Sequence, residues 1–502
     1  MPETKQITEP VEPNAQSDGQ RFHELDRKAV ALTMAGVLIA IFMGSLDQTI
    51  VATALPTIAK SLHAFGSYSA VVTAYLIAST VALPIGGKLS DVQGRKRFLI
   101  GGMVWFVVAS ALCGLSRTMT QLICFRALKG LGTGVMQAAA FTTIADLYPP
   151  IRRGRSIGMV AMISIVANIV GPLLGGYLTD GPGWRYIFLI NVPVGLVGCI
   201  VVARFFPPIR RPAVENFKID YWGSLSMVGG VVPVLWALQK VGDGDRWLSS
   251  GVAVPIGLGV FFVAVFIAVE RHAEHPIVPM NVFRNSIISI SLLNSGLSMA
   301  ALFGVTIFVP LFLQAVLHAS AKESGQILLP LSITIALTAT ATGHLVGYTG
   351  RYRSLALAGA AIAIVGAYLL AHMSPDTSRI TVLRNTVITG FGLAIIMPIY
   401  NLTVQNAAHL AVLGVATSMV YFVRYISSSI GMAVYGTILT TQTKSAGLAS
   451  ALNSVYWVLT GLVMTVFVAT FFLRDIPLRR SNVQKEIAAC EDGSRPELSW
   501  EP

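Results

Sequence analysis

The chain has 502 residues, of which 54% are hydrophobic and only 12% charged, and its formal net charge is +12. Soluble domains carry about 25% charged residues, so this composition excludes a soluble globular protein and fits a polytopic membrane protein. The positive excess does not point to nucleic acid. Lys and Arg gather on one set of alternating loops and tails, a pattern that places both termini in the cytoplasm and the basic loops against anionic lipid.

Residues 1–28 are polar, with several Pro, Glu and Gln, and read as a disordered cytosolic tail rather than a signal peptide. About fourteen apolar runs of spanning length follow. Six fit at about 30–54, 68–88, 98–116, 120–147, 156–179 and 185–205, giving a first bundle over 29–206. Residues 207–272 hold a basic connector with Pro207, Pro208 and Pro212, then two further spans at about 221–240 and 251–270. A second bundle over 273–473 takes six more, at about 287–316, 324–347, 355–373, 382–405, 411–440 and 451–473. Residues 474–502 form a polar cytosolic tail. The expected fold is therefore all-α, two six-helix bundles plus a two-helix insert, fourteen transmembrane helices in all.

An internal repeat supports the count. GKLSDVQGRKR, residues 87–97, and GHLVGYTGRYR, residues 343–353, each stand between the second and third spans of a half. Gly130-Leu-Gly132 in the fourth span echoes Gly390-Phe-Gly392 in the twelfth. Repeated bundles are the architecture of secondary transporters, with the substrate site between halves near the midplane.

The charged residues inside spans carry the chemistry. A charge at the bilayer centre costs roughly 2.5–3.5 kcal/mol even on lenient scales. Arg126 and Lys129, three residues apart in RALKGLGTG, share one helical face. Asp47 is the only acid well inside an expected span, and counting from span ends at 54 and 120 puts it level with Arg126 to within a few Å. A carboxylate facing a cation at that depth makes Asp47 and Arg126 the expected proton-coupling site; a permanent ion pair tying helices together is the bland alternative. Lys129, a further cavity candidate, either pairs with Asp47 itself or leaves positive potential in the cavity; with Arg424 it raises the span interiors to three cations against one acid. That balance leans the substrate towards neutral, zwitterionic or anionic amphiphiles and away from dications.

Other polar span residues read as cavity candidates: Gln48, Gln137, Asn168, Asn294, Gln314, Tyr400, Asn401, Gln405 and Arg424. Each taken singly is as readily a helix–helix hydrogen bond. In the first repeat loop, Gly87 and Gly94 permit close packing and a tight turn, Asp91 suits a facing helix N-terminus, Arg95 can reach Asp146, and Lys96 and Arg97 suit a basic loop. In NIVGPLLGG, Pro172 makes its span pliable while Gly171, Gly175 and Gly176 let another helix approach.

Enzyme-like signals fail. The glycines at 130, 132 and 134 follow no strand and there is no GxxxxGK[ST], so neither a nucleotide loop nor direct ATP use is expected. No cofactor is expected, and the proton gradient is the expected energy source. Glu270, His272, Glu274 and His275 read as a solvated patch rather than a metal site. Cys113, Cys124, Cys199 and Cys490 suggest no disulfide framework.

The span region resembles the major facilitator superfamily, and within it the fourteen-spanner branch of drug:proton antiporters. GKLSDVQGRKR is similar to its loop motif between helices 2 and 3, RALKGLGTG to its helix-4 motif and NIVGPLLGG to its exporter helix-5 motif. LDQTIVATALPTIA, residues 46–59, and WRYIFLINVPVG, residues 184–195, resemble signatures of that branch. The resemblance implies export of amphiphilic drugs in exchange for protons by alternating access. It also implies that Gly87, Asp91, Gly94, Arg95, Arg97 and Asp146 latch the halves when the protein is open outward. Lys129 departs from the pattern, where Gln is usual. Arg424 sits at a position typical of the branch. A lipid or lipid-like metabolite exporter on the same fold is the alternative; an importer or a non-transporting sensor fits less well. The expected setting is the bacterial inner membrane, as a monomer among lipids, with any envelope adaptor unknown and no nucleic-acid partner.

Overall fold

Backbone polar groups in lipid must be satisfied within the segment, so apolar runs of this length form helices. The computed structural model of the chain describes residues 27–147, 150–207, 221–243, 245–272, 283–350, 352–408 and 413–473, and among these it is helical with no strand. The first half comprises α1 (Arg27–Ser61), α2 (Ala70–Gln93), α3 (Arg95–Leu115), α4 (Met119–Leu147), α5 (Pro150–Asp180) and α6 (Asn191–Phe205), the last preceded by a one-turn helix at Tyr186–Leu189. Then come α7 (Tyr221–Asp243) and α8 (Ser250–His272). The second half comprises α9 (Ser286–Leu311), which runs on as a wide turn over Phe312–Val316, then α10 (Ala321–Thr349), α11 (Arg353–Ala371), α12 (Arg379–Ala407), α13 (Leu413–Ala446) and α14 (Leu448–Phe471). Eleven helical stretches among the described residues are long and apolar enough to cross a membrane; α4, α7 and α13 are the long helices that fall outside that set.

The two halves repeat one packing scheme. In the first, α1 packs on α4, α5 and α6, α4 on α2 and α3, and α3 on α6. In the second, α9 packs on α12, α13 and α14, α12 on α10 and α11, and α11 on α14. The halves meet through α5 with α10 and α2 with α13, two contacts that exchange under the same repeat. The insert is a hairpin, α7 against α8, seated on α13 and more lightly on α2 through α7. On α8, Val260, Phe261 and Val254 are exposed, a surface suited to lipid tails.

Small residues set the close approaches. A Cβ on Gly132 would lie 2.8 Å from the Phe106 backbone nitrogen of α3, and one on Gly134 would lie 2.9 Å from the Leu83 nitrogen of α2. Gly94 takes φ 102° at the single-residue joint between α2 and α3, a conformation that glycine adopts without a steric cost.

One face of the bundle is closed between the halves. There the Tyr68 hydroxyl donates across the seam to the Ile307 carbonyl at 2.8 Å, while within the first half the Trp184 Nε1 donates to Ser61 Oγ at 3.3 Å. Gln314 Nε2 donates to the Thr53 carbonyl at 2.7 Å and Thr57 Oγ1 to Gln314 Oε1 at 3.1 Å. The Asp180 carboxylate, at the end of α5, accepts from the backbone nitrogens of Ala321 at 3.2 Å and Lys322 at 2.6 Å, at the start of α10.

Candidate functional site

Asp47 on α1 pairs with two cations of α4 at once: Arg126 Nη1 donates to Oδ2 and Lys129 Nζ to Oδ1. The i, i+3 spacing on α4 makes this possible, since it turns both side chains to one face. Side-chain exposures of 0% for Asp47, 1% for Arg126 and 0% for Lys129 place the whole triad in the interior of the first half. Arg126 Nε also donates to the Val71 carbonyl of α2 at 3.3 Å, and its guanidinium lies 4.2 Å from the Tyr75 ring centre. The Lys129 ammonium lies 4.5 Å from the Phe106 ring centre and 5.2 Å from that of Phe188. Aromatic faces supply the negative potential that one carboxylate cannot supply to two cations. Counted at formal charges, the cluster carries one excess positive charge out of contact with water.

The route to the Asp47–Arg126 pair differs from the sequence argument. α1 does not stop near residue 54 but continues to Ser61, so Asp47 lies fourteen residues from that end and Arg126 seven from the start of α4. Along their own axes α1 therefore runs about two turns further than α4. Pro56 sits inside α1 without ending it. The pair is level because of how the helices pack, not because their ends align. Lys129, read from sequence as a cavity residue, is turned into the first half and held there by Asp47 and two rings.

A second polar group crosses the seam. Gln48, next to Asp47, donates to the Tyr425 hydroxyl of α13 at 3.4 Å, and that hydroxyl donates to Gln137 Oε1 of α4 at 3.1 Å. Nearby, the Phe141 ring of α4 stacks on Tyr421 of α13 with centres 5.9 Å apart. Two of the sequence candidates, Gln48 and Gln137, thus meet between the halves. Arg424 lies beside them on α13, its Nε donating to Ser295 Oγ of α9 at 2.7 Å and its Nη2 to the Met397 carbonyl of α12 at 3.0 Å.

Other candidates lie elsewhere. Asn294 Nδ2 donates to Thr470 Oγ1 at 3.2 Å, and the Tyr400 hydroxyl lies 2.6 Å from the same oxygen. This is a polar tie among α9, α12 and α14 inside the second half. Asn168 is half-buried on α5, and Asn401 on α12 has a buried side-chain oxygen without a hydrogen-bond partner.

The helix-5 motif divides its work between two neighbours. Gly171 and Gly175 face α1, where added Cβ atoms would meet Thr49 and Ile50. Gly176 faces the other half, where a Cβ would lie 2.6 Å from the Ala321 carbonyl oxygen and 2.8 Å from the Lys322 Cα. Reciprocally, a Cβ on Gly325 would lie 3.0 Å from the Pro172 carbonyl carbon. The motif is where α5 and α10 touch, one turn below the Asp180 contacts.

At the joint between α2 and α3, Arg95, the first residue of α3, folds back onto the last turns of α2 to donate to Ser90 Oγ at 2.6 Å and the Gly87 carbonyl at 3.4 Å. Close packing there falls on Gly86, whose Cβ would meet the Val135 Cα at 2.7 Å, and not on Gly87, which has ordinary clearance. One residue of helical rotation decides which glycine faces α4. Arg97 is exposed. The side chains of Asp91 and Asp146 lie outside the described residues, as do Glu274, His275 and residues 1–26 and 474–502; the last two residues of the expected N-terminal tail, Arg27 and Lys28, begin α1. Among the described residues no cluster of metal-ligating side chains forms.

Sequence reasoning missed Tyr425, Tyr68 and Asp180. Tyr425 adjoins the flagged Arg424 but looks like any aromatic span residue. Asp180 has a readable partner signal, because Ser320 and Glu323 form a capping box that marks the start of α10.

Comparison with known proteins agrees with this architecture. The family model described as Major Facilitator Superfamily matches residues 37–432. Multidrug resistance protein 3 of Bacillus subtilis (strain 168) is 35% identical over 408 residues, spanning 81% of this chain and 78% of that protein. The MFS-type efflux pump MMF1 of Pseudozyma antarctica (strain T-34) is 28% identical over 515 residues, spanning 92% of this chain and 94% of its own. A bacterial homologue of the human lysosomal transporter Spinster, solved in an inward-facing and occupied conformation, superposes with a TM-score of 0.65 at 14% identity over 91% of this chain and 100% of that one. At that identity the likeness speaks to fold alone.

Proposed function

Because the chain belongs to the major facilitator superfamily and is a membrane transporter rather than an enzyme, we propose that it exports amphiphilic compounds in exchange for protons by alternating access. The observation that carries this reading is the Asp47–Arg126–Lys129 triad. An Arg does not release its proton in proteins, so a proton can join or leave the triad only at Asp47 or Lys129. Either event changes the charge holding α1 to α4. Because α1 also carries Gln48 and touches both α5 and α9, such a change can reach the seam.

Similarity to proteins named as multidrug resistance and efflux transporters supports the outward direction. The Gly176–Ala321 approach and the Asp180 contacts supply a closed face that must part for the opposite-facing state. The proposal includes the fourteen-spanner branch, the plasma membrane of a bacterium, both termini in the cytoplasm, a monomer as the working unit and no bound cofactor. The latch residues of the α2–α3 loop, Asp91 and Asp146 included, remain part of it.

The test is transport in proteoliposomes under an imposed pH gradient, with lipophilic dyes and drugs as substrates. Uptake into inside-out vesicles should follow the gradient and collapse with a protonophore. Uptake indifferent to the gradient would reject antiport.

A further inference from the structure

Arg424 is a cation within a membrane-spanning bundle whose partners among the described residues are all neutral. It lies eleven residues into α13, roughly 16 Å along the helix. Guanidinium has five N–H donors, and two of these are used, one by Ser295 Oγ at 2.7 Å and one by the Met397 carbonyl at 3.0 Å. Three donors, both on Nη1 among them, have no acceptor among the described residues. The contrast with Arg126 is direct: that guanidinium is 1% exposed and paired with Asp47, whereas Arg424 is half-buried and has no carboxylate partner among the described residues. A cation left at this depth without a counter-charge is unfavourable until something anionic arrives.

Its surroundings describe that visitor. Tyr421 and Phe141 stack one turn away, and the Arg424 guanidinium carbon is 5.9 Å from the Tyr421 ring centre. Tyr425, Gln48 and Gln137 form the uncharged polar bridge between halves at the next residue of α13. On α12, Asn401 stands one turn beyond Met397 and therefore on the same face, and its buried side-chain oxygen has no partner. An amide can turn its NH2 end to an acceptor. Two fixed neutral contacts hold the guanidinium plane, and the remaining donors are left in the fork geometry that suits a carboxylate, sulfonate or phosphate.

We infer that Arg424 is the anchor of a binding site for the anionic headgroup of an amphiphile, with Tyr421 and Phe141 against its apolar body. The inference rests on the transport reading for the identity of the cargo, but the binding site stands on geometry alone. It also moves the electrostatic preference of the cavity from Lys129, which is sealed against Asp47, to Arg424.

The experiment is equilibrium binding to the full chain in phosphatidylcholine nanodiscs, read by dansyl fluorescence. The probes are 11-(dansylamino)undecanoic acid, its methyl ester and the matching trimethylammonium compound. The acid should bind at least about tenfold more tightly than the ester, the return expected of a charge-assisted hydrogen bond. Arg424→Gln should remove that difference and leave the ester unchanged, and Arg424→Lys should restore part of it. Equal affinity of acid and ester for the wild-type chain, or an equal loss of all three probes in Arg424→Gln with its thermal unfolding unchanged, overturns the inference. If Arg424→Gln does not fold, Tyr425→Phe is the second variant and should weaken the acid by less than Arg424→Lys does; a loss of all three probes there counts against the site. Nanodiscs containing phosphatidylglycerol separate the sources: competition against the acid assigns the site to a lipid headgroup, and no competition assigns it to a free amphiphile. Headgroup selectivity without gradient-driven export would sink the transport reading and leave the site standing, and export without selectivity would do the reverse.

Discussion

On α4, Gly130 faces α2 and Gly132 faces α3; on α12, Gly390 faces α10 and Gly392 faces α11. Neither approach leaves room for a Cβ, since one on Gly132 would come within 2.8 Å of the Phe106 nitrogen and one on Gly392 within 2.4 Å of the Ala363 nitrogen. Yet four residues and one residue before the first glycine stand Arg126 and Lys129 in the first half, and Thr386 and Thr389 in the second. Thr389 donates back to the Asn385 carbonyl at 2.8 Å, and the buried Thr386 hydroxyl has no partner. Backbone shape is repeated because both halves solve the same packing problem. Charge is not repeated, because packing does not demand it. The excess charge of the first half is therefore not a requirement of packing, and it is what the proposed proton coupling would use.

The largest effect expected is that of Asp47→Asn, which strands two buried cations. Removing one partner of a buried pair costs about 3–5 kcal/mol, so thermal unfolding in detergent should fall sharply and gradient-driven transport should vanish. Neutralising all three, Asp47→Asn with Arg126→Gln and Lys129→Gln, should recover stability but not transport. Recovered transport in that triple variant would reduce the triad to a structural tie.

Next come Gly132→Val and Gly392→Val. Overpacking costs ~1–3 kcal/mol, and the two losses of stability should match. A marked inequality between them would break the packing equivalence of the halves.

Lys129→Met removes the excess charge and keeps the Asp47–Arg126 pair. Swapping a buried ion for a hydrophobe of similar size is often neutral or stabilising, so the unfolding free energy should stay within about 1 kcal/mol or rise. The pH profile of transport should change, and an unchanged profile would confine proton exchange to Asp47. Smallest of all, Thr386→Val removes a hydroxyl that has no partner and should alter stability by less than ~1 kcal/mol, with transport unaffected. Lost transport there would show that the second half also carries chemistry at this level.

Much of the fold could be read from the chain. Helical spans follow from apolar length and from the need to satisfy the backbone, both local properties. The Gly130/Gly390 echo was visible because close approach requires glycine whatever surrounds it. Site geometry was legible only in part. The i, i+3 spacing put Arg126 and Lys129 on one face, but the partner of Lys129 depended on the rotation of α4 relative to α1. The depth match for Asp47 rested on a helix end seven residues short of Ser61. The repeat motif points to Gly87 as the packing glycine, whereas the close approach falls on Gly86, one helical position away.

From its residues alone, this protein was committed to lipid, to helices, to two repeated halves and to a buried acid that needed cations. Hydropathy, period and charge are carried by each segment independently of its neighbours. Only the tertiary structure decided which cation was consumed and which was left over. It turned Lys129 inward to Asp47, set Asp180 on the start of α10, and left Arg424 beside the seam with neutral partners. Those outcomes depend on how whole helices rotate and stagger against one another, and no single segment contains that information.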